Sequence, residues 1–368
     1  MACARYGKWY CMEFYQAIMK KYDVIVNRHR PLNPMGNSLE HRVFVVFTAI
    51  VLSLCWPIAG RSAGTTLKTS HIAASKIATR FGFVSYDVKG KQITLRGKFN
   101  ILEMEGDSRR ASFNNVDFWL SGPPARRWGY WTMLQNDVDK MLTPLLNPSA
   151  AVKNEDYRVV VLDPGHGGND KGANDLRRGI QEKQVVLELA KDVRNILKRY
   201  NIDARLTRWQ DVNLDLDERC QYAAQVRADL FVSIHLNAAE NDDSSGIETH
   251  ILPPTGCPIT ASSKVNGRDI SAYTGNQHDN ANMVLGYMLQ KSLLKYTHAE
   301  DRGVRRSRFQ VIKNAPCPAA LVECGFISNR KEREKLMNPE YRGRLARALA
   351  EGIIAYLNIV KRAHNINA

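Results

Sequence analysis

The chain has 368 residues, 44% of them hydrophobic and 24% charged, with a formal net charge of +15. That balance excludes a disordered chain and leaves room for one large domain or two smaller ones. The positive charge favours anionic polymers or surfaces, but no compact Lys/Arg run interleaved with aromatics is present, so nucleic acid is not the expected partner.

Val43 to Ala59 (VFVVFTAIVLSLCWPIA) is the long apolar run of the chain, preceded by Arg42 and followed by the small residues around Gly60. It is closer in length to the apolar core of an export signal than to a membrane span, which needs about 20 residues. The residues before it are many for a signal, whereas Met35 opens a stretch of ordinary length and is the alternative start. Membrane anchoring through the same uncleaved segment is the alternative. Of the seven cysteines, Cys3, Cys11 and Cys55 fall in or before this region. Cys220, Cys257, Cys317 and Cys324 match no zinc-finger or paired spacing. Cys257 and Cys317 each sit beside a proline and would be the pair to bridge in an oxidising compartment, with free thiols as the other reading.

Thr65 to Pro148 reads as a small separate α+β unit. Ile72–Phe81 has the pattern of a short amphipathic helix. Val84–Val88 and Gln92–Arg96 read as a hairpin around Lys89-Gly90-Lys91. Asn100–Glu105 and Ala111–Leu120 read as two further strands, and Gly129–Leu146 as helix. This order loosely resembles the small domains of the copper amine oxidase N-terminal type, which implies a binding or spacing module. From Tyr157 strands alternate with helices, the mark of a layered α/β domain. Strands are expected at Arg158–Leu162, Asp203–Thr207, Asp229–His235, Gly246–Leu252 and Ala319–Glu323. Helices are expected at Glu182–Tyr200, Leu214–Val226, Ala281–Tyr296 and Tyr341–Ile359. The irregular segment between Pro253 and Asn280 is either a wall of the cleft or a solvated insertion. The boundaries expected are a leader over 1–64, the small unit over 65–150 and a catalytic domain over 151–368.

Four stretches carry chemistry. His166 follows a buried strand and is flanked by Gly165, Gly167 and Gly168, which give an imidazole room at the mouth of a sheet. Glu182 opens a helix, where the helix dipole favours a carboxylate with or without a metal; Asp175 and Glu188 compete for its role. His235 ends an apolar strand, as His166 does, and ligand sites in open α/β sheets form outside such ends. Ser233 and Asn237 are near enough to orient the ring or bind substrate. Glu323 also ends a buried strand, where a carboxylate is costly unless it pairs, binds metal or carries a proton; an ion pair with Arg208 is the plain alternative. His71, His250, His278, His298 and His364 lack such context, and Arg208 and Arg219 read as scaffold charges. Two imidazoles and one carboxylate are what a catalytic zinc needs if its fourth position stays open.

These stretches, LDPGHGG (162–168), Glu182, SIHLN (233–237) and ECGFISN (323–329), resemble the zinc-dependent N-acetylmuramoyl-L-alanine amidases of the type 3 family, in the family's order and over about Arg158 to Tyr356. The resemblance implies a single mixed sheet flanked by helices, and hydrolysis of the amide between N-acetylmuramic acid and L-alanine in exported, periplasmic or envelope peptidoglycan. It implies Zn2+ held by His166, Glu182 and His235, with Glu323 as the catalytic carboxylate. Asn237 is a candidate substrate contact. One departure is that Gln277-His278-Asp279-Asn280 stands where relatives often carry Ser and Leu-Ala. The segment before it has no long helical pattern of the kind that blocks the zinc in some relatives. A zinc peptidase cutting the stem peptide, a non-catalytic wall-binding protein and a polyanion-binding module are the competing readings.

Overall fold

The computed structural model describes residues 70–152, 159–175 and 180–367. The apolar run Val43–Ala59, Met35 and the first three cysteines lie outside them. Among the described residues no helix is long and apolar enough to cross a membrane.

β1 (His71–Ala73) leads into the helix Ala74–Phe81, followed by the hairpin β2 (Ser85–Lys89) and β3 (Gln92–Arg96), then β4 (Ile101–Glu105). The single strand expected over Ala111–Leu120 is instead a hairpin, β5 (Arg110–Phe113) and β6 (Val116–Trp119). Asn114 and Asn115 turn it with φ of 50° and 62°, the left-handed pair that asparagine tolerates and tight hairpins require. The helix expected from Gly129 is preceded by strand. β7 (Ala125–Arg127) turns into β8 (Tyr130–Leu134), which pairs with β1, and helical pieces follow over Gln135–Leu146. Tyr130, Trp131 and Thr132 favour the pleated conformation over helix.

The remaining elements are β9 (Val159–Pro164), β10 (Asn174–Asp175), β11 (Ile180–Gln181), the helix Glu182–Arg199, β12 (Asp203–Leu206), the helix Leu216–Gln225, β13 (Leu230–Asn237), β14 (Ile247–Ile251), the helix Asp279–Thr297, β15 (Asp301–Arg306), a turn of helix at Gln310–Lys313, β16 (Ala319–Phe326) and the helices Arg330–Met337 and Pro339–Asn367. β15 has too little apolar alternation (Asp-Arg-Gly-Val-Arg-Arg) to be seen as strand beforehand; its neighbours make it one.

Eleven strands form one mixed sheet in the order β12-β9-β13-β16-β14-β15-β6-β5-β4-β3-β2. β12, β9, β13 and β16 run parallel, and β14 is antiparallel to β16. Side-chain alternation divides the central strands between two layers. Val160, Leu162, Leu230, Val232, Ile234, Ala320 and Val322 join the core packed by the helices Glu182–Arg199, Asp279–Thr297 and Pro339–Asn367. Val161, Phe231, Ala319 and Leu321 face the other way, against Cys220 and Ala223 of Leu216–Gln225. The helix Asp279–Thr297 buries residues all round, as a helix covered on both sides must.

Within residues 65–150, expected as a separate unit, β2 to β6 continue this sheet, while β1, β8 and β7 form a three-stranded sheet of their own. Phe118 of β6 pairs in parallel with Val304 of β15. Tyr287 donates its hydroxyl to the Phe113 carbonyl at 3.1 Å, and Arg109 donates to the carbonyls of Ile259, Thr260 and Ser262. By contact, Gly64 to Ala368 is one unit. The strongest tie is a buried charge pair. Arg306, 1% exposed, lies 3.2 Å from Asp137, which is fully buried. Arg306 also donates to the Ser121 hydroxyl, and the Ser121 N–H donates to Asp137 at 2.9 Å. Replacing Arg306 by Met strands the Asp137 carboxylate in the core, and urea unfolding should show a loss of roughly 3–5 kcal/mol. Adding Asp137→Asn should recover part of that loss; a single variant as stable as the parent would show the pair carries no such link.

Candidate active site

The parity that builds two layers also builds one reactive edge. On β13, His235 shares the face of Phe231 and Ser233; on β16, Glu323 shares that of Ala319 and Leu321. His235 lies opposite Glu323, and Glu323 opposite Glu248 of β14, so three strands place three functional groups in one row. β9 ends alongside at Pro164, and the chain then turns sharply to bring His166 over the row.

The turn depends on two glycines. A Cβ on Gly165 would lie 2.2 Å from the His235 ring, so only glycine lets the strand end pass beside that imidazole. Gly172, at φ 64°, would press a Cβ to 2.5 Å from Glu182 Oε2 and 2.6 Å from His166. His166 itself takes φ 59°, a left-handed conformation histidine adopts at some cost. Arg219 holds this loop by donating to the carbonyls of Pro164 (2.9 Å) and His166 (2.8 Å).

His166, Glu182 and His235 offer donor atoms that all lie within 4.8 Å of one another. Glu182 is 2% exposed at the first turn of its helix. Its Oε1 stands 3.1 Å from His166 Nε2 and 3.0 Å from His235 Nδ1. The backbone N–H groups of Leu236 and Ala173 donate to its two oxygens at 2.9 and 2.8 Å. Burial opposes ionisation of Glu182, but the hydrogen bonds and charges of the two histidines outweigh it and hold its pKa at about 2. Burial likewise opposes the charge on His166, yet the Glu182 and Asp170 carboxylates raise its pKa. Two imidazole nitrogens and one ionised carboxylate, converging on a cleft, are the donor set of a catalytic zinc, so the residues fit that ion.

Glu323 reaches the same cleft. Among the described residues its Oε2 is enclosed and has no hydrogen-bond partner. Burial, then the negative charges of Glu182 and Glu248, push its pKa well above the usual carboxylate range. Arg208, the alternative partner, is elsewhere: it donates to the carbonyls of Pro164, Gly165 and Lys183. The cleft, about 470 Å³, is walled by Asn213–Leu216 and by Phe309–Val311. The irregular segment 253–280 contributes none of its lining residues.

Three groups escaped the reading from sequence. Asp170 Oδ2 lies 2.7 Å from His166 Nδ1, which directs Nε2 inward; its position four residues after His166 was the available signal. Asp163, fully buried, accepts from Thr207 (2.6 Å), Arg219 (2.8 Å) and Ser233 (2.7 Å). Burial would raise its pKa, but the Arg219 charge and these bonds lower it. Ser233 therefore serves Asp163 rather than the His235 ring. Glu248 accepts from Asn237 Nδ2 at 3.0 Å and Arg302 Nε at 2.8 Å, and pairs with His250 at 3.0 Å. Asn237 also lines the cleft. His250, expected as packing, is 5% exposed and also meets the Ser307 hydroxyl at 2.8 Å. Glu188 is an exposed partner of Lys191, and the Asp175 side chain lies outside those described. Cys220, Cys257, Cys317 and Cys324 are buried free thiols, so Cys257 and Cys317 are not bridged.

Residues 160–355 match the family model described as N-acetylmuramoyl-L-alanine amidase. The amidase AmiA of Escherichia coli (strain K12) is 34% identical over 229 residues, spanning 56% of this chain and 79% of its own. The endolysin of Bacillus phage SPP1 is 36% identical over 207 residues, 56% of this chain and 68% of its own. The catalytic domain of CwlV from Bacillus (Paenibacillus) polymyxa var. colistinus superposes with a TM-score of 0.46 at 32% identity, covering 55% of this chain and 99% of that one.

Glu248 carries a pH prediction. Burial opposes its charge, but the His250 hydrogen bond and charge, the Arg305 charge and the Arg302 bond together lower its pKa from 4.5 to about 2. Because the folded value lies below the unfolded one, its contribution is fully present above pH 4.5 and fades as pH falls toward 2. The stake is about 3 kcal/mol. Denaturant titrations between pH 6 and pH 2 should show this limb in the parent and a shallower one in Glu248→Gln; identical slopes would remove Glu248 as its source.

Proposed function

Because the chain belongs to the N-acetylmuramoyl-L-alanine amidase family, we propose that His166, Glu182 and His235 hold the zinc with which it cleaves peptidoglycan, and that Glu323 carries the proton. The substrate bond is the amide joining the lactyl group of N-acetylmuramic acid to L-alanine. The convergence of two imidazoles and a carboxylate beside a carboxylate with an unpartnered oxygen supports this reading best.

When bound, the zinc supplies Lewis acidity, polarising the amide carbonyl and acidifying water. The protein's own groups do the rest. Asp170 fixes the ring of His166 so that Nε2 faces the donor cluster. Glu323, with its raised proton affinity, accepts a proton from the water that attacks the amide carbon. As the C–N bond breaks, Glu323 returns that proton to the departing nitrogen, since an amine anion is too poor a leaving group. The products are a lactyl carboxylate and a peptide with a free N-terminal L-alanine. Asn237 offers its carbonyl oxygen to a substrate N–H. Export to the cell envelope belongs to the same proposal, with Val43–Ala59 as the targeting segment, residues 151–368 as the catalytic portion and 65–150 as the wall-binding or spacing portion.

Digestion of purified peptidoglycan followed by mass spectrometry should release peptides that begin with L-alanine. Products cut inside the stem peptide would identify a peptidase instead. Glu323→Gln should keep one metal per chain while turnover drops about 10²–10⁴-fold; a fully active variant would remove Glu323 from the proton path. His235→Ala should lose the metal itself.

A further inference from the structure

The turn joining β7 to β8 is made by Trp128 and Gly129, at φ 51° and 84°. A two-residue hairpin turn with both φ values positive is met without strain by Asn-Gly. A bulky aromatic at the first position is an outlier, and nothing among the described residues covers it: Trp128 is 83% exposed. Tyr130 beside it is 63% exposed, and Arg126 and Arg127 are exposed as well. Arg127 and Tyr130 face each other across the hairpin. The hairpin is anchored from beneath. Trp131 packs on Gly106 so closely that a Cβ there would meet its ring at 2.1 Å. The Asp107 N–H donates to the Pro124 carbonyl at 3.2 Å, and Thr132 Oγ1 to the Ala125 carbonyl at 2.9 Å. The exposed tip is thus a rigid platform, which lowers the ordering cost of binding. None of its residues lines the active-site cleft.

We propose that Trp128, Tyr130, Arg126 and Arg127 form a docking site for glycan strands of peptidoglycan, separate from the cleft. The proposal rests on the reading of peptidoglycan as substrate. Pyranose rings present flat C–H faces that lie against indole and phenol rings, and aromatic residues with a polar tip suit such half-wet contacts. The stem peptides carry carboxylates, and the lactyl groups gain one where the amide has been cut; guanidinium groups bind carboxylates in paired geometry. A lipid surface fits less well, because insertion needs an apolar face and here the rings alternate with arginines.

The test uses the full chain and Trp128→Asn, which keeps a residue suited to the turn and removes only the ring. Co-sedimentation with purified sacculi should fall about tenfold in the variant. Turnover of a soluble N-acetylmuramoyl-peptide should be unchanged, and the melting temperature should be equal or higher. Arg126→Ala/Arg127→Ala should weaken sedimentation mainly at low salt. Equal sedimentation of Trp128→Asn and parent would overturn the proposal. So would a loss seen on vesicles of anionic phospholipid but not on sacculi. Failure of the amidase reading shows separately, as absence of free L-alanine termini from the soluble substrate while sedimentation still depends on Trp128.

Discussion

The arrangement turns on one carboxylate. Glu182, almost wholly buried, puts a single oxygen about 3 Å from two imidazole nitrogens that come from different strand ends. The two histidine rings meet edge to face with centroids 4.9 Å apart, and the carboxylate bridges their nitrogens. The peptide N–H groups of Ala173 and Leu236 complete its hydrogen bonds, so the charge is held by backbone as well as by rings. Losing that carboxylate would leave two rings and two amides without their common partner.

Around it the fold supplies rigidity at a distance. Asp163 gathers Thr207 of the loop after β12, Ser233 of β13 and Arg219 of the adjoining helix. Arg219 then reaches the carbonyls that lead to His166. Strand ends are otherwise free to splay, since their last residues have fewer ladder bonds; a buried ion pair with three donors pins them. On the far side of Glu323, Glu248 is held ionised by histidine and arginine. Burial and two carboxylates so placed raise the proton affinity of Glu323. The same sheet extends through β15 into the meander β6 to β2, so the N-terminal strands share its hydrogen-bond ladder and its core.

Elements with a strong period were legible beforehand. The runs Arg158–Leu162 and Asp229–His235 read as buried strands, and Glu182–Tyr200 as an amphipathic helix, because burial on one or both sides leaves a local pattern in the chain. β15 was not legible, since a strand of arginines, aspartate and glycine becomes a strand only when β14 and β6 flank it. The hairpins at Asn114–Asn115 and Trp128–Gly129 were missed because a reversal of two residues leaves the surrounding apolar pattern intact. Asp163 and Glu248 were missed for a different reason: a single carboxylate carries no sign of its partner when that partner lies far away in sequence or across a sheet. Asp170, four residues after His166, had a local signal in its spacing.

By itself, the sequence determined which groups could be reactive: an imidazole among glycines, two polar residues ending apolar strands, and a glutamate opening a helix. These follow from local rules of burial, turn geometry and helix polarity, which act over a few residues. Only the tertiary structure decided that Glu182 lies between His166 and His235, that Glu323 has Glu248 as its neighbour rather than Arg208, and that β2 to β6 extend the sheet that carries the site. Those outcomes depend on strand register and side-chain parity between segments far apart in the chain, where a shift of one residue would turn each group to the opposite face.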